Sequence, residues 1–218
     1  MATALRIDFV SDVACPWCAV GLKSLEQALE KLEGEVSAEI HFQPFELNPN
    51  MPPGGQDIVE HLAQKYGSTP AQLAQNQERL RERGEELGFI FDLQKRTRIY
   101  NTFDAHRLLH WAEGQGKQRE LKHALLRAYF TEGRDPSDRE VLVNVAESVG
   151  LNAQEAAAVL DSGQYAQEVR EAEQFFQRQG IQAVPSVIID RQYLILGGQA
   201  PVEAFEQAMR QIAAEKNK

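Results

Sequence analysis

The chain has 218 residues, of which 43% are hydrophobic and 25% charged, as in one large globular domain or a compact domain with a sizeable insertion. Its formal net charge is 23 − 32 = −9, which disfavours binding to nucleic-acid phosphates and to anionic membrane surfaces. No run of about 18 apolar residues predicts a membrane-spanning helix, and no secretory signal precedes the first predicted strand. We therefore expect a cytoplasmic protein whose partners include neither nucleic acid nor membrane.

The first 43 residues predict a strand, a helix and a second strand. Apolar and polar residues alternate over residues 5–9, which indicates a half-buried strand. A helix is expected to begin near Cys15 with Pro16 at its first position, where the missing N–H has no helical partner in any case. Gly34 is expected to end this helix, and a second alternation over residues 38–43 predicts another strand.

The middle of the chain is predicted to be helical. Residues 44–55 are rich in proline and glycine, whereas residues 56–179 carry helical patterns almost throughout. Helix starts are predicted at Ser68-Thr69-Pro70 and, from capping residues, at Ser137 and Asn152. Strand signals return at residues 187–190 and 193–196, before a last helix from Pro201. The economical architecture is one sheet built from both ends of the chain, with the helices inserted between them.

The only two cysteines, Cys15 and Cys18, lie at the predicted helix start. Residues three apart on a helix are close enough for a disulfide. The loop that such a disulfide closes is so short that the bond adds little stability to the fold, and the disulfide therefore remains exchangeable. The positive end of the helix favours a thiolate at Cys15, the expected attacking thiol, while Cys18 lies one turn in and would resolve the mixed disulfide. Trp17 is expected to offer exposed apolar surface beside the sulfur. The alternatives are a structural pair or half of a zinc site, but two ligands cannot complete a tetrahedral site, so no metal is expected.

A second element, Val184-Pro185, leads into a predicted strand. The first interpretation is a proline at the first residue of a strand. The second is a cis-proline loop that faces the cysteines, in which the backbone groups of Val184 pair with an extended substrate.

Four segments together carry a family resemblance. They are residues 8–18 (DFVSDVACPWC), 101–108 (NTFDAHRL), 128–133 (AYFTEG) and 180–187 (GIQAVPSV). The chain resembles the DsbA-like family of the FrnE type, dithiol–disulfide isomerases related to 2-hydroxychromene-2-carboxylate isomerases.

This resemblance implies an α/β, thioredoxin-like fold with a large all-helical insertion. Residues 1–48 and 181–218 would form a discontinuous thioredoxin-like domain, and residues 49–180 the insertion. It also implies that Val184-Pro185 is cis, with Cys15 as nucleophile and Cys18 as resolving thiol.

We therefore expect a thiol–disulfide oxidoreductase or isomerase that acts through the Cys-Pro-Trp-Cys dithiol on a disulfide-containing protein or a small thiol. No bound cofactor is expected beyond the redox-active disulfide, with glutathione as a candidate reductant. The oligomeric state is left open.

One alternative is a glutathione-dependent isomerase or transferase of the 2-hydroxychromene-2-carboxylate isomerase or kappa type. That branch usually has serine at the position of Cys15 and an Asp-Arg pair where this chain has GGQAP at residues 197–201. The other alternative is a redox-sensing binding module without turnover.

Three polar residues are further candidates for the site. Asp12 lies three residues before Cys15, where a carboxylate would relay protons to Cys18, or would serve only as a solvated or capping acid. Asn101 and His106 belong to a segment of the family resemblance and are expected to line a cleft between the domain and the insertion.

Overall fold

The computed structural model describes residues 2–196 and 200–217, so most of the segment compared above with the Asp-Arg pair lies outside the described residues. In chain order the elements are β1 (Thr3–Ser11), α1 (Pro16–Lys31), β2 (Val36–Pro44), β3 (Gln56–Asp57), α2 (Ile58–Tyr66), α3 (Pro70–Glu86), β4 (Arg98–Ile99), α4 (Phe103–Gly114), α5 (Gln118–Phe130), α6 (Arg139–Ser148), α7 (Ala153–Asp161), α8 (Ala166–Arg178), β5 (Ser186–Ile189), β6 (Tyr193–Leu196) and α9 (Val202–Lys216).

A mixed sheet of four strands has the order β2–β1–β5–β6. Strand β1 is parallel to β2 and antiparallel to β5, and β6 pairs with β5 at the edge. Ile7 and Phe9 on one face of β1 are fully buried and pack with residues of α1 and α9, whereas Val10 on the other face packs with Phe176 of α8. The prediction of one sheet built from both ends of the chain is confirmed.

The chain between β2 and β5 is mainly helical. Helices α4 to α7 enclose a core of their own, which contains the fully buried Leu108, Leu121 and Leu142. The segment also contains a short antiparallel ladder, β3–β4, in which Gln56 pairs with Ile99. Strands of two residues are too short to show a period in the sequence, so the pattern could not reveal them.

Two predicted helix starts are confirmed and one is wrong by a residue. Thr69 closes a capping box with Gln72 ahead of α3, and the Asn152 side chain caps α7. The cap of α6 is Asp138 rather than Ser137, because Asp138 Oδ1 accepts the N–H of Val141 at 2.9 Å. Ser137 instead donates its hydroxyl to Asp135 at 2.6 Å.

The sheet topology brings two distant loops together. The last residues of β1 pair with the first of β5, so that Val10 lies opposite Ser186. The loop that follows β1 and leads to Cys15 therefore lies beside the loop that ends at Pro185. In the part of the chain that the structure describes, none of the helices combines the length and apolar character needed to cross a membrane.

Candidate active site

Cys15 occupies the N-cap of α1, with extended backbone angles, and Pro16 is the first helical residue. The Cys18 N–H donates to Cys15 O at 3.1 Å, which places Cys18 one turn into the helix. Both cysteines are free thiols; Cys15 is 4% exposed and Cys18 is fully buried. Both residues are thus buried, and Cys15 is the one of the two that lines the cleft described below.

The Val184–Pro185 peptide bond is cis in the structure. Val184 O lies 3.8 Å from Cys15 Sγ and accepts a weak hydrogen bond from the thiol. Pro185 lies one residue before β5 and not at its first position, so the cis-proline loop is the interpretation that fits, and pairing of Val184 with a substrate stays a prediction. The cysteine loop and the proline loop thus face each other across the end of the sheet.

A cleft of about 640 Å³ opens beside Cys15. One wall contains Cys15, Trp17 and Val184, and the opposite wall is formed largely by α2 and α3, including Leu62 and Leu73. Trp17 is half-buried rather than exposed, because its ring packs against the core beneath α1. Cys15 therefore borders a pocket that is mostly apolar.

Two cations also line this cleft. Lys65 donates to Leu47 O and to Asn48 Oδ1, both at 2.7 Å, and burial lowers the pKa of its ammonium. Arg96 is 8% exposed and lies 5.0 Å from the ring centroid of Tyr129, with a 3.5 Å hydrogen bond to Ala14 O. Neither cation pairs with a carboxylate among residues 2–196 and 200–217, so the cleft suits a substrate that carries negative charge.

Asp12 is 1% exposed and is therefore not the solvated acid that was one interpretation of the sequence. Its carboxylate accepts the backbone N–H groups of Ala14 at 3.1 Å and Leu47 at 2.7 Å. Burial alone would raise the pKa of this carboxyl, but attraction to His106 and the two backbone N–H groups outweighs burial and lowers it. Asp12 thus holds the cysteine loop and the chain after β2 together as a buried anion.

His106 and Asn101 lie behind the cleft wall and do not line it. The Nε2–H of His106 donates to Phe45 O at 3.1 Å and lies 3.6 Å from Asp12 Oδ1. Asn101 donates to Glu46 Oε2 at 3.2 Å and caps the start of α4 through the N–H of Phe103 at 2.9 Å. Their side chains position the loop after β2, and a role in proton transfer stays a prediction.

Glu46 connects this buried group to α8. Its side chain accepts a hydrogen bond from Arg170 at 2.6 Å, and Arg170 also bonds Glu173 at 2.8 Å. Burial and the charge of Glu173 raise the pKa of Glu46 above its ordinary value. Glu46 also lines the cleft, where its carboxylate is paired with Arg170.

Lys122 on α5 was not singled out from the sequence. It is 0% exposed, and its Nζ interacts electrostatically with Cys18, Asp12 and Cys15. The sequence signal was a lysine within the apolar stripe of α5, four residues before Leu126. A lysine in such a place normally reaches the surface with its amino group, so the pattern does not reveal burial.

Comparisons with known proteins place these features in context. The family model of the DSBA-like thioredoxin domain matches residues 6–210. A probable DsbA oxidoreductase from Streptomyces coelicolor is 34% identical, covering 98% of this chain and 92% of that one with a TM-score of 0.89.

Two further solved structures share the fold at lower identity. The cytosolic disulfide reductase DsbM from Pseudomonas aeruginosa, solved with GSH, is 16% identical with a TM-score of 0.64 over 97% of this chain and 98% of that one. A 2-hydroxychromene-2-carboxylate isomerase is 17% identical with a TM-score of 0.70 over the same shares.

Proposed function

The chain belongs to the DsbA-like thioredoxin domain family, and we propose that within it the protein exchanges thiols and disulfides through Cys15 and Cys18. The α/β, thioredoxin-like fold with a helical insertion is confirmed by the family match and by the architecture. Membership of the FrnE type is part of the proposal.

The observation that carries the proposal is the geometry around Cys15. The sulfur lies at the start of α1, opposite Val184 O, and opens onto the cleft, while the second sulfur is buried one turn behind it. A helix N-terminus favours thiolate at the accessible position. Cys15 as attacking thiol and Cys18 as resolving thiol fit this arrangement.

The reaction proceeds in two exchanges. The Cys15 thiolate attacks one sulfur of a substrate disulfide, forming a Cys15–substrate bond and releasing the other substrate sulfur as thiolate. The Cys18 sulfur then attacks Cys15 Sγ, forming the intramolecular disulfide and releasing the second substrate sulfur. The two electrons that reduce the substrate come from the dithiol.

A resolving-thiol variant tests this assignment. Cys18→Ser should accumulate a mixed disulfide on Cys15 with a model disulfide peptide, because the second exchange is blocked while the first is intact. Intact-mass spectrometry under non-reducing conditions measures the adduct. The wild type should catalyse insulin reduction, and Cys18→Ser should lose nearly all of that turnover.

Cys15→Ser is the matched control, since it changes the same atom at the other position. It should form no adduct and show no turnover. An adduct on Cys18 in Cys15→Ser, or insulin reduction by the wild type at the uncatalysed rate, would overturn the assignment.

We also propose the compartment and the partners. A cytoplasmic location is consistent with a reducing thiol pool, which favours reduction or isomerisation over net oxidation. A disulfide-containing protein or a small thiol would be the substrate, with glutathione as reductant. The cations Lys65 and Arg96 in the cleft support glutathione as reductant, because glutathione is a tripeptide that carries two carboxylates.

The same cations favour a second candidate, a glutathione-dependent isomerase or transferase in which Cys15 stabilises the thiolate of glutathione. The candidates differ in their need for Cys18. Activity on an isomerase substrate that requires glutathione and survives Cys18→Ser would support the second candidate and exclude the first.

A further inference from the structure

Lys122 lies in an unusual position for a lysine. Its side chain is fully buried, with Nζ 6.0 Å from the ring centroid of Phe42. The preceding turn of α5 is anchored to β2, because Gln118 bonds both the N–H and the carbonyl of Phe42, at 2.9 Å and 3.2 Å. The next turn contributes Leu126 to the core that contains Cys18. Lys122 therefore lies in the buried region that contains the resolving thiol, and its Nζ forms no hydrogen bond to Cys18 Sγ in this structure.

The amino group has no hydrogen-bond acceptor among the described residues. The nearby carboxylate of Asp12 is already occupied by backbone N–H groups and His106. An ammonium with three unsatisfied N–H groups is costly to bury, whereas a neutral amine has a lone pair that can accept a proton. Burial accordingly lowers the pKa of Lys122.

Cys18 is a buried thiol that must lose a proton, whereas a neutral Lys122 can accept one. Cys18 must lose its proton to attack the mixed disulfide, yet burial raises the pKa of its thiol well above the ordinary value. The charge of Lys122 acts in the opposite direction. The resolving step therefore needs a local base.

We propose that the Lys122 amine takes the proton of Cys18 during resolution and holds the resulting thiolate as an ion pair. The inference rests on the proposed function. The Cys18 S–H bond breaks and its proton binds Nζ, while the sulfur forms the Cys15–Cys18 bond. The electron pair of the Cys15–substrate bond leaves on the substrate sulfur. When the disulfide is reduced again, the Cys18 sulfur takes the proton back from the Lys122 ammonium.

Other charged groups around Lys122 are paired with one another. Asp12 and His106 interact behind the cysteine loop, and Glu26 of α1 bonds Arg119 and His123 of α5. On β2, His41 bonds Glu113. Cys18 and Cys15 are thus the groups near Lys122 that gain or lose charge during the reaction.

Stopped-flow reaction with dithiobis-nitrobenzoate, whose thiolate product is coloured, separates the two exchanges. Attack by Cys15 releases the first coloured thiolate and resolution by Cys18 releases the second. Lys122→Met, which keeps the length of the side chain without its base, should slow the second release by roughly 100-fold. The first release should change much less.

The pH dependence gives a readout that a packing defect does not move. In the wild type the second release should vary little around neutral pH, because the proton stays inside the protein. In Lys122→Met its rate should rise about tenfold for each pH unit, following the thiolate fraction. Leu126→Val, a packing change one turn along α5, should keep the wild-type pH profile.

Each outcome decides a different point. Absence of the first release in the wild type would overturn the proposed function. Two normal releases in Lys122→Met, or an equal slowing of both releases in Lys122→Met and Leu126→Val, would overturn the role of Lys122 alone.

If Lys122→Met fails to fold, NMR of the wild-type protein with ¹³C- and ¹⁵N-labelled lysine tests the proton transfer directly, because the chemical shifts report whether the amino group is protonated. One buried lysine should show amine shifts in the dithiol form and ammonium shifts in the disulfide form at the same pH. Identical shifts in both forms would exclude the proton transfer.

Discussion

Asp12 is ionised although its carboxylate is almost inaccessible to solvent. Hydrogen bonds from Leu47 and Ala14 and the proximity of His106 lower its pKa below the ordinary value of 3.8 in spite of burial. A lowered pKa in the folded state means that the charged form contributes stability. That contribution is complete above the unfolded-state pKa and is lost as the pH falls through the folded-state pKa.

Asp12→Asn should reduce the free energy of unfolding by about 2 kcal/mol near neutral pH. The amide can offer only one oxygen, so its NH₂ group would meet the N–H of either Leu47 or Ala14. Urea unfolding at several pH values measures the difference. Below about pH 4 the unfolded chain takes up the proton first, so the difference in stability should narrow from there down to the lower folded-state pKa of Asp12.

The exposed ion pair between Arg139 and Asp161 supplies the comparison. Both side chains are half exposed and screened by solvent, so Asp161→Asn should change stability far less than Asp12→Asn does. If Asp12→Asn lost the same free energy of unfolding at every pH, the carboxylate would contribute to stability through its shape and not through its charge.

At the scale of elements, Gly84 of α3 lies where the chain after the helix packs closely against it. A Cβ at Gly84 would lie 2.4 Å from Phe89 O and 2.5 Å from the ring of Phe91. The missing side chain lets the segment after α3 fold back against the helix, and the Phe89 N–H donates to Gly84 O at 2.7 Å. Here packing takes precedence over helix propensity.

Gly84→Ala should therefore destabilise the protein by about 1–3 kcal/mol, although alanine is the better helix former. Gly114→Ala at the end of α4 is the matched control, because the described chain places nothing within 4 Å of its Cβ. That variant should be neutral or slightly stabilising. Thermal or urea unfolding measures both, and equal effects would show that the contact at Gly84 relaxes freely.

Elements with a local signal were predictable. Thr69 and Asn152 identify helix starts because their side chains bond backbone groups within three residues. Ser137 misled because Asp138 beside it has the same capping chemistry, and only the loop geometry selects between them. The close contact at Gly84 involves Phe89 and Phe91 in the irregular chain after α3, and the sequence there has no helix or strand pattern from which the contact could be predicted.

At the scale of the molecule, the cleft takes one wall from the sheet domain and the other from the helical segment. Leu73→Trp, on the α3 side, should slow insulin reduction by about tenfold because bulk there narrows the approach to Cys15. Alkylation of Cys15 by iodoacetamide, a small reagent, should slow much less. Gln75→Trp, an exposed position on the same helix, is the control and should change neither rate.

If Leu73→Trp slowed both reactions equally, the effect would lie in the reactivity of Cys15 and not in access. Steady-state rates and alkylation followed by mass spectrometry distinguish the two.

The position of the two cysteines at a helix start was predictable from the sequence, whereas the residues that surround them were not. Cys15 and Cys18 are identified by spacing and by the helix start between a strand and Pro16. Lys122 and Arg96 reach the same region only through the packing of the helical segment, which sequence spacing does not encode. Charged residues are ordinarily assigned to the surface, so buried ones escape prediction.

The contact between Cys15 and Val184 joins residues 169 positions apart. Ribosomes add about 5–20 residues per second, so Val184 is made roughly 10–30 s after Cys15. Throughout that interval the cysteine belongs to a nascent chain that has neither the facing carbonyl nor the completed sheet. The two thiols therefore spend that interval outside the finished fold, which encloses them only once Val184 has been made.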